Sequence, residues 1–417
     1  MDVRNTTCCI AGGGPAGMML GYLLARAGID VTVLEKHGDF LRDFRGDTIH
    51  PSTLELMNEL GVLDQFLALP HQKAYRIAAR FGGLAFDFAD FSHLPVACPY
   101  IAFMPQWDFL NFLADRGRSY PGFHLVMNAE VTDLLWDGDR VAGVTARTPQ
   151  GPLEVRAALT IGCDGRSSTV RERAGLQAED FGAPMDVLWF RLPRTASDSV
   201  QSTGVFEAGR IFVRIDRGDY WQCAFVIPKG GMEETRARGI AAFRETLAQV
   251  EPAFADRVAS IASWDEVHLL TVTVNRLRKW HRPGLLCIGD AAHAMSPVAG
   301  VGINLAVQDA VATANILAEA LYGGDPVDPL LRQVQERREW PTRVTQRLQL
   351  MVQKTVIGTV LRARETVTPP LFVRLLARCP RLRRVPARFV GIGVQPEHIR
   401  TPERVQKLLP PAAPVNV

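Results

Sequence analysis

Thr7-Cys-Cys-Ile-Ala-Gly-Gly-Gly-Pro-Ala-Gly17 begins a stretch that runs on to Val31-Thr-Val-Leu-Glu35. The apolar run Cys8 to Ala11 reads as a strand. Gly12-x-Gly14-x-x-Gly17 reads as a tight turn into a helix that starts at Pro15 and Ala16, carries Met18, Met19, Leu20, Leu23 and Leu24, and stops at Gly28. The three glycines do different things. Gly12 permits the turn, Gly14 lets a pyrophosphate approach the backbone, and Gly17 lets the helix lie close to the sheet. Glycine-rich turns are common by themselves. Here strand, glycines, helix, second strand and terminal acid follow one another within one βαβ unit, which specifies a dinucleotide site. An acid at Glu35 suits an unphosphorylated ribose, as in FAD or NAD, and leaves the choice between them open.

Two further stretches have the same strand-then-turn form. Leu159-Thr-Ile-Gly-Cys163 leads into Asp164-Gly165-Arg166-Ser167-Ser168, with Val170 and Arg171 opening a helix. Gly284-Leu-Leu-Cys-Ile-Gly289-Asp290 leads through Pro297, Gly300 and Val301 into a helix from about Gly302 to Leu321. Each places a carboxylate at a strand's C-terminal end, where open α/β sheets bind ligands. Between Glu35 and a helix opened by Pro51 lies a polar loop with Arg45. A second amphipathic helix follows Gln106.

The residues between these stretches are β-rich. Alternation around Phe81-Gly-Gly-Leu predicts a hairpin, and Val187 to Leu192, Ile211 to Ile215 and Tyr220 to Ile227 read as strands interrupted by a helix at Ile240 to Leu247. The expected organisation is a mixed α/β fold: a Rossmann-like nucleotide domain at 1–74, 102–180 and 276–325, an inserted β-sheet substrate domain at 75–101 and 181–275, and a helical basic region at 326–417. Tyr220, Gln222 and Phe225 on the insertion strands are candidate substrate-pocket residues, although aromatics on strands are more often plain core.

With 417 residues, 47% hydrophobic and 22% charged, the chain has ample material for a core, and its net charge of +3 selects no partner class. Nucleic acid is not expected. Seven cysteines without CxxC or Cys/His spacing read as buried thiols in a reducing compartment, with no metal site. No apolar run long enough to cross a bilayer and no leader are read in the sequence, so a cytoplasmic location is expected. From Trp340 to Gln395 the only acid is Glu365, against arginines from Arg343 to Arg388. Such a basic amphipathic surface can meet anionic lipid or a second subunit, and a solvated cap is the blander reading. Pro410 to Val417 reads as a loose tail.

Taken together, the three motifs resemble the group A flavoprotein monooxygenases, the family of para-hydroxybenzoate hydroxylase and the ubiquinone-biosynthesis hydroxylases, over about residues 5–325. The resemblance implies non-covalent FAD held by Gly12, Gly14, Pro15, Ala16, Gly17, Glu35, Lys36, Arg45, Gln106, Val131, Asp164, Asp290, Pro297, Gly300, Val301, Gly302 and Asn304. It also implies NADH or NADPH as a transient reductant and O2 as co-substrate. One oxygen atom would reach an aromatic or polyketide-like substrate through a C4a-hydroperoxyflavin, with Pro297 and Arg45 beside the chemistry. No general base is assigned: Tyr220 and His93 are candidates more in keeping with structural roles, and His293 reads as a packing or cofactor-shell residue. An epoxidase, a Baeyer-Villiger oxygenase or a prenyl-chain reductase would share the FAD site. A halogenase is disfavoured because no WxWxIP motif is present. A non-catalytic FAD-binding protein is the reading from another class.

Overall fold

Four parallel strands end on one line. In the computed structural model, which describes residues 2–41, 48–195, 197–198, 202–365 and 367–404, Ala11 pairs with Leu34 and with Gly162, and Gly162 pairs with Cys287. The strands Asp2–Ala11, Val31–Leu34, Gly151–Gly162 and Leu285–Cys287 therefore release Gly12, Glu35, Cys163 and Ile288 along the same edge of one sheet. Phe123–Val126 continues this sheet beyond Val31–Leu34, and the antiparallel strands Glu130–Asp137 and Arg140–Thr148 flank Gly151–Gly162. The strands carry near-continuous apolar residues because both faces are covered. The helix Pro15–Arg26 covers one face, with Met18, Met19, Leu20, Leu23 and Leu24 at most 1% exposed. At roughly 2 kcal/mol for each buried side chain, these five anchor the turn that precedes them.

Twice the chain leaves this sheet to build a second one. Its order is His268–Leu270, Met185–Pro193, Tyr220–Pro228, Arg210–Asp216, Thr203–Glu207, Arg76–Phe81, Leu84–Asp90. The fold is thus the expected mixed α/β arrangement with an inserted β-rich sheet and a helical C-terminal region. Alternation divides the second sheet into two faces. Phe190, Phe212, Trp221, Cys223 and Phe225 pack under the helix Gly239–Val250, whereas Val187, Ile211, Ala224 and Val226 face the C-terminal helices.

The helix Asp328–Val352 crosses the molecule next to the helix Gly302–Gly323 and runs into a single π-helical turn, Gln353–Ile357. The basic stretch beyond it forms two short helices, Leu371–Arg378 and Arg384–Gly391. Val373, Leu376, Ala387 and Val390 are buried, while Leu371 and Val385 are 69% and 68% exposed. The tail then returns to the first helix: Arg26 Nη1 donates to the Thr401 carbonyl at 2.7 Å, and the Tyr120 hydroxyl donates to Glu403 at 2.7 Å. Pro410 to Val417 lies outside the described residues. All seven cysteines are free. Among the described residues one stretch, Val298–Gly323, is long and apolar enough to span a bilayer, but 78% of its most apolar window is buried in the protein.

Candidate functional site

The cleft at the strand ends is built from glycines with different duties. Gly12 has φ +106°, and a Cβ there would lie 2.4 Å from the Cys163 carbonyl oxygen. A Cβ on Gly17 would lie 2.0 Å from the Gly12 oxygen, so both positions are closed by the chain itself. At Gly14 a Cβ would meet nothing within 4 Å. That open space faces the start of the helix Pro15–Arg26, which has no side-chain cap and no acid in its first turn. Uncapped N–H groups and an unopposed positive dipole end suit a diphosphate. Glu35, 8% exposed, accepts from Gly13 N and His37 N at 3.0 Å each, which fixes its carboxylate beside the turn. Lys36 is exposed next to it, and Val131 is half-buried two residues beyond Ala129, whose N–H is held by the Glu35 carbonyl.

The other two motifs meet directly. Arg166 Nε donates to Asp290 Oδ2 at 3.2 Å, and Arg171 reaches the Ala291 carbonyl at 3.2 Å. Asp164 is turned inward: its carboxylate takes the Ser168 hydroxyl and the Val170 N–H, capping the following helix, and burial raises its pKa. Its side chain therefore shapes the turn, whose backbone lies against Gly12. The pattern D-G-R-S-S specifies the position but not where the carboxylate points.

The segment after Asp290 supplies a second uncapped helix. The helix Gly302–Gly323 has neither a side-chain cap nor an acid in its first turn, and a Cβ on Gly302 would meet only Met295, at 3.9 Å. A Cβ on Gly300 would strike Thr48 Oγ1 at 2.5 Å. Between Pro297 and Gly300, Ala299 has φ +64°, a left-handed conformation that costs a non-glycine residue about 1–2 kcal/mol. Pro297 is half-buried and Val301 buried at this bend, and Gln106 is half-buried at the first position of its helix. Arg45 lies outside the described residues.

Asn304 lies in the first turn of the helix Gly302–Gly323. Its Oδ1 accepts from His50 N at 3.0 Å and Thr53 Oγ1 at 2.7 Å, and its Nδ2 donates to the Thr48 carbonyl at 3.3 Å. The side chain brackets the helix Pro51–Glu59, while the backbone N–H belongs to the uncapped first turn. His50 itself is fully buried with Nδ1 2.8 Å from the Val390 carbonyl, and burial lowers its pKa to about 4. Its unfolded value is near 6.5, so its contribution to stability is complete above that pH and is lost as pH falls toward 4. Between pH 7 and pH 5 this group removes about 2 kcal/mol. A His50→Asn variant should lose that much less over the same interval, as read by urea denaturation at the two pH values.

Two groups of residues beneath the site are assigned no role from the sequence. Beneath the Gly289 turn, Asp309 (0% exposed) accepts from Gly289 N and Arg338 Nε, each at 3.0 Å, and lies 2.5 Å from His293 Nε2. Burial opposes its charge, but His293 and Arg338 outweigh burial and hold the carboxyl below its ordinary value. Arg338 also donates to Glu397 at 3.2 Å. His293, 1% exposed, is thus a core residue. The second group is Gln346, Gln349 and Gln353, at most 4% exposed and bonded to the loop before Pro297.

The substrate-pocket expectation divides by sheet face. Phe225 packs edge-on against Phe243, centroids 5.7 Å apart, under the outer helix, which corrects its assignment to a pocket. Gln222 and Tyr220 share the opposite face by alternation. Gln222 Oε1 accepts from Arg217 Nε at 2.8 Å, and Arg191 lies over the Tyr220 ring at 4.8 Å. On that face Trp189 and Val213 are only partly buried, alongside Val298 and Val352, and the buried Trp189 Nε1 has no hydrogen-bond partner. His93 is 48% exposed, with Nε2 3.9 Å from Asp90 Oδ2.

The family model described as FAD binding domain matches residues 5–348. The chain is 33% identical over 406 residues to the 6-methylpretetramide 4-monooxygenase of Streptomyces rimosus, covering 96% of this chain and 95% of that protein. Two solved structures share its fold. PqsL, a probable FAD-dependent monooxygenase from Pseudomonas aeruginosa, has a TM-score of 0.73 at 20% identity, over 86% of this chain and 98% of that one. The OxyS anhydrotetracycline hydroxylase of Streptomyces rimosus has a TM-score of 0.72 at 24% identity, over 93% of this chain and 76% of that one. The open Gly14 position and the two uncapped helix starts fit FAD, and with the near full-length match the chain belongs to the FAD-binding-domain family, as a flavin-dependent monooxygenase of the group A aromatic hydroxylase superfamily.

Proposed function

We propose that the protein uses NADH or NADPH and O2 to insert one oxygen atom into a polycyclic aromatic or polyketide-like substrate. The observation that carries this reading is the inner face of the second sheet. Apolar, partly buried Trp189 and Val213 stand with Val298, the residue after Pro297, and the Trp189 N–H is left as an unpaired buried donor. A buried N–H without a partner is costly, so a polar group that reaches it on ligand binding would be favoured there. A planar, oxygen-bearing ligand suits such a wall, and the near full-length relative whose name includes 6-methylpretetramide supports that class.

Bound FAD supplies hydride acceptance and oxygen activation. The chain's own residues position and shield it. The amides after Gly14 would hold the diphosphate, Glu35 the adenosine ribose, and Asp290, oriented by Arg166, ribitol-side hydroxyls. Gly300, Gly302 and the first-turn amides of the helix Gly302–Gly323 would face the flavin, where their dipole would favour negative charge. Pro297 and Val298 exclude water from the face nearest the substrate. Lys36, Arg45, Gln106 and Val131 complete the proposed cofactor contacts, and Tyr220 and Gln222 the substrate wall. The division into nucleotide, substrate and C-terminal segments at the boundaries given above belongs to the same proposal. So does contact of a membrane or a second copy with the exposed Leu371, Phe372 and Val385 among their arginines, supported by that exposure.

The test is oxidation of NADH and NADPH by the purified protein with aromatic polyketides such as anhydrotetracycline, under isotopically labelled dioxygen. Substrate-stimulated oxidation with label in the product is expected. Label arriving from water, or turnover without incorporation for every polyketide tried, would sink the monooxygenation claim.

A further inference from the structure

We propose that Gln346, Gln349 and Gln353 form a positioning row that sets the backbone on the flavin side of the site and ties it to the substrate-facing sheet. The proposal rests on the FAD site described above and, for the sheet, on the proposed substrate wall.

The three residues recur along one stripe of the helix Asp328–Val352 and its π-turn, and they are 1%, 4% and 1% exposed. Buried amides are tolerated only when their donors and acceptors are used. Most of these are used on one short segment, although Gln346 Oε1 accepts from Arg276 Nη1 at 2.7 Å and Gln353 Oε1 is buried without a partner. Gln346 Nε2 donates to the Ala294 carbonyl at 3.1 Å and to Asn275 O at 2.8 Å. Gln349 Nε2 donates to the carbonyls of Ser296 and Val298 at 3.0 and 2.9 Å, and its Oε1 accepts from Ser296 N at 3.2 Å. Gln353 Nε2 donates to Ser296 Oγ at 2.6 Å, and that hydroxyl also accepts from Val298 N at 3.2 Å. The Ala294 carbonyl also accepts from Asn275 N of the strand Asn275–Leu277 at 3.3 Å, and beyond it, at Ser296 and Val298, the glutamine side chains take the backbone groups in place of a ladder. Immediately beyond it come the left-handed Ala299 and the uncapped start of the helix Gly302–Gly323.

The π-turn gives the row its second connection. A π-turn inserts an extra residue per turn and re-aims the chain beyond it. While Gln353 reaches Ser296, Val356, Ile357 and Val360 pack with Ala224 and Val226 on the inner face of the second sheet, and Val360 O accepts from Gly209 N at 2.8 Å. One continuous stretch of chain therefore holds the loop before Pro297 and lies on the sheet proposed to bind substrate. A displacement of that sheet is transmitted to the flavin-side amides through these hydrogen bonds. None of the three glutamines is a catalytic residue. They act through the loop.

The test compares parent holoprotein with Gln349→Met, which keeps the side-chain length and removes the hydrogen bonds, and with Gln335→Met. Gln335 lies on the same helix but bonds Trp280 N at 3.0 Å and Arg278 O at 3.0 Å, away from the loop. In Gln349→Met the amides of Ser296 and Val298 should exchange at least tenfold faster, and the reduction potential of bound FAD should fall because the first-turn amides no longer sit as firmly against the reduced ring. FAD should remain bound. Gln335→Met should change neither readout, even where its unfolding midpoint drops. Ser296→Ala, which deletes a single hydroxyl, provides the same comparison should Gln349→Met not accumulate. Unchanged exchange and unchanged potential in folded Gln349→Met or Ser296→Ala would overturn the proposal and leave the row as packing alone, as would equal shifts in Gln335→Met. Neither readout requires a substrate, so failure of the oxygenation reading would appear separately, in the labelled-dioxygen experiment.

Discussion

Gly14→Val is expected to give folded, colourless protein whose affinity for FAD is lower on the order of 100-fold or more. A Cβ at this position meets no protein atom within 4 Å, and its backbone lies in the extended region (φ −76°, ψ −174°), which valine adopts readily. The isopropyl group therefore fits the protein and occupies the volume reserved for the diphosphate. Gly17→Val is the contrasting case. Its Cβ would lie 2.0 Å from the Gly12 oxygen, so that variant should fail to fold. Near-ultraviolet circular dichroism together with the FAD retained after ultrafiltration separates the two outcomes. Full flavin occupancy in folded Gly14→Val would show that the diphosphate lies elsewhere.

The second large effect is thermodynamic. Arg338→Met should lower unfolding stability by about 3–5 kcal/mol, the cost expected when one partner of a buried ion pair is removed. Arg338 is 1% exposed and serves both Asp309 and Glu397, so its loss takes one cationic partner from each of two buried carboxylates, leaving Asp309 to His293 and Glu397 to the half-exposed Arg337. Asp309 also holds Gly289 N, and the loss should therefore loosen the turn that carries Asp290. Denaturant titration of the apoprotein measures the first effect, and FAD titration of whatever remains folded measures the second. A change below about 1 kcal/mol would mean that water or a rearranged partner takes over the role of Arg338.

The nucleotide site is legible in the sequence because backbone geometry demands it. Gly12 and Gly17 sit where any side chain collides, and the strands before Gly12, Asp164 and Asp290 end in register. Strand alternation in Tyr220–Pro228 separates two faces but does not say which one faces the site, and for that reason Phe225 and Gln222 read alike as pocket candidates. Asp164 and Asn304 are located correctly as motif positions, yet their side chains turn to cap and bracket neighbouring helices. The glutamine row is hidden because polar residues along one stripe of an amphipathic helix ordinarily mark its solvent side. Here Thr342, Thr345, Gln346, Gln349 and Gln353 form a polar stripe that is buried. The recurrence of Gln at positions 346, 349 and 353 is the available signal, but only the irregular loop opposite gives it meaning.

The order of the strands in the first sheet also has a consequence in time. Asp2–Ala11 is made first, yet its partner Gly151–Gly162 is about 150 residues away and the cleft also needs Leu285–Cys287. At about 5–20 residues per second, synthesis leaves the first strand with an open edge for on the order of ten seconds before its partner exists. Such an edge is a template for pairing with another chain, so the nascent protein depends on shielding there. Because the residues that would hold FAD come from the ends of all these strands, its binding would stabilise the closed sheet and not that open edge. The last described residues, Thr401 to Arg404, then close over Arg26, making one of the earliest helices among the last to be sealed.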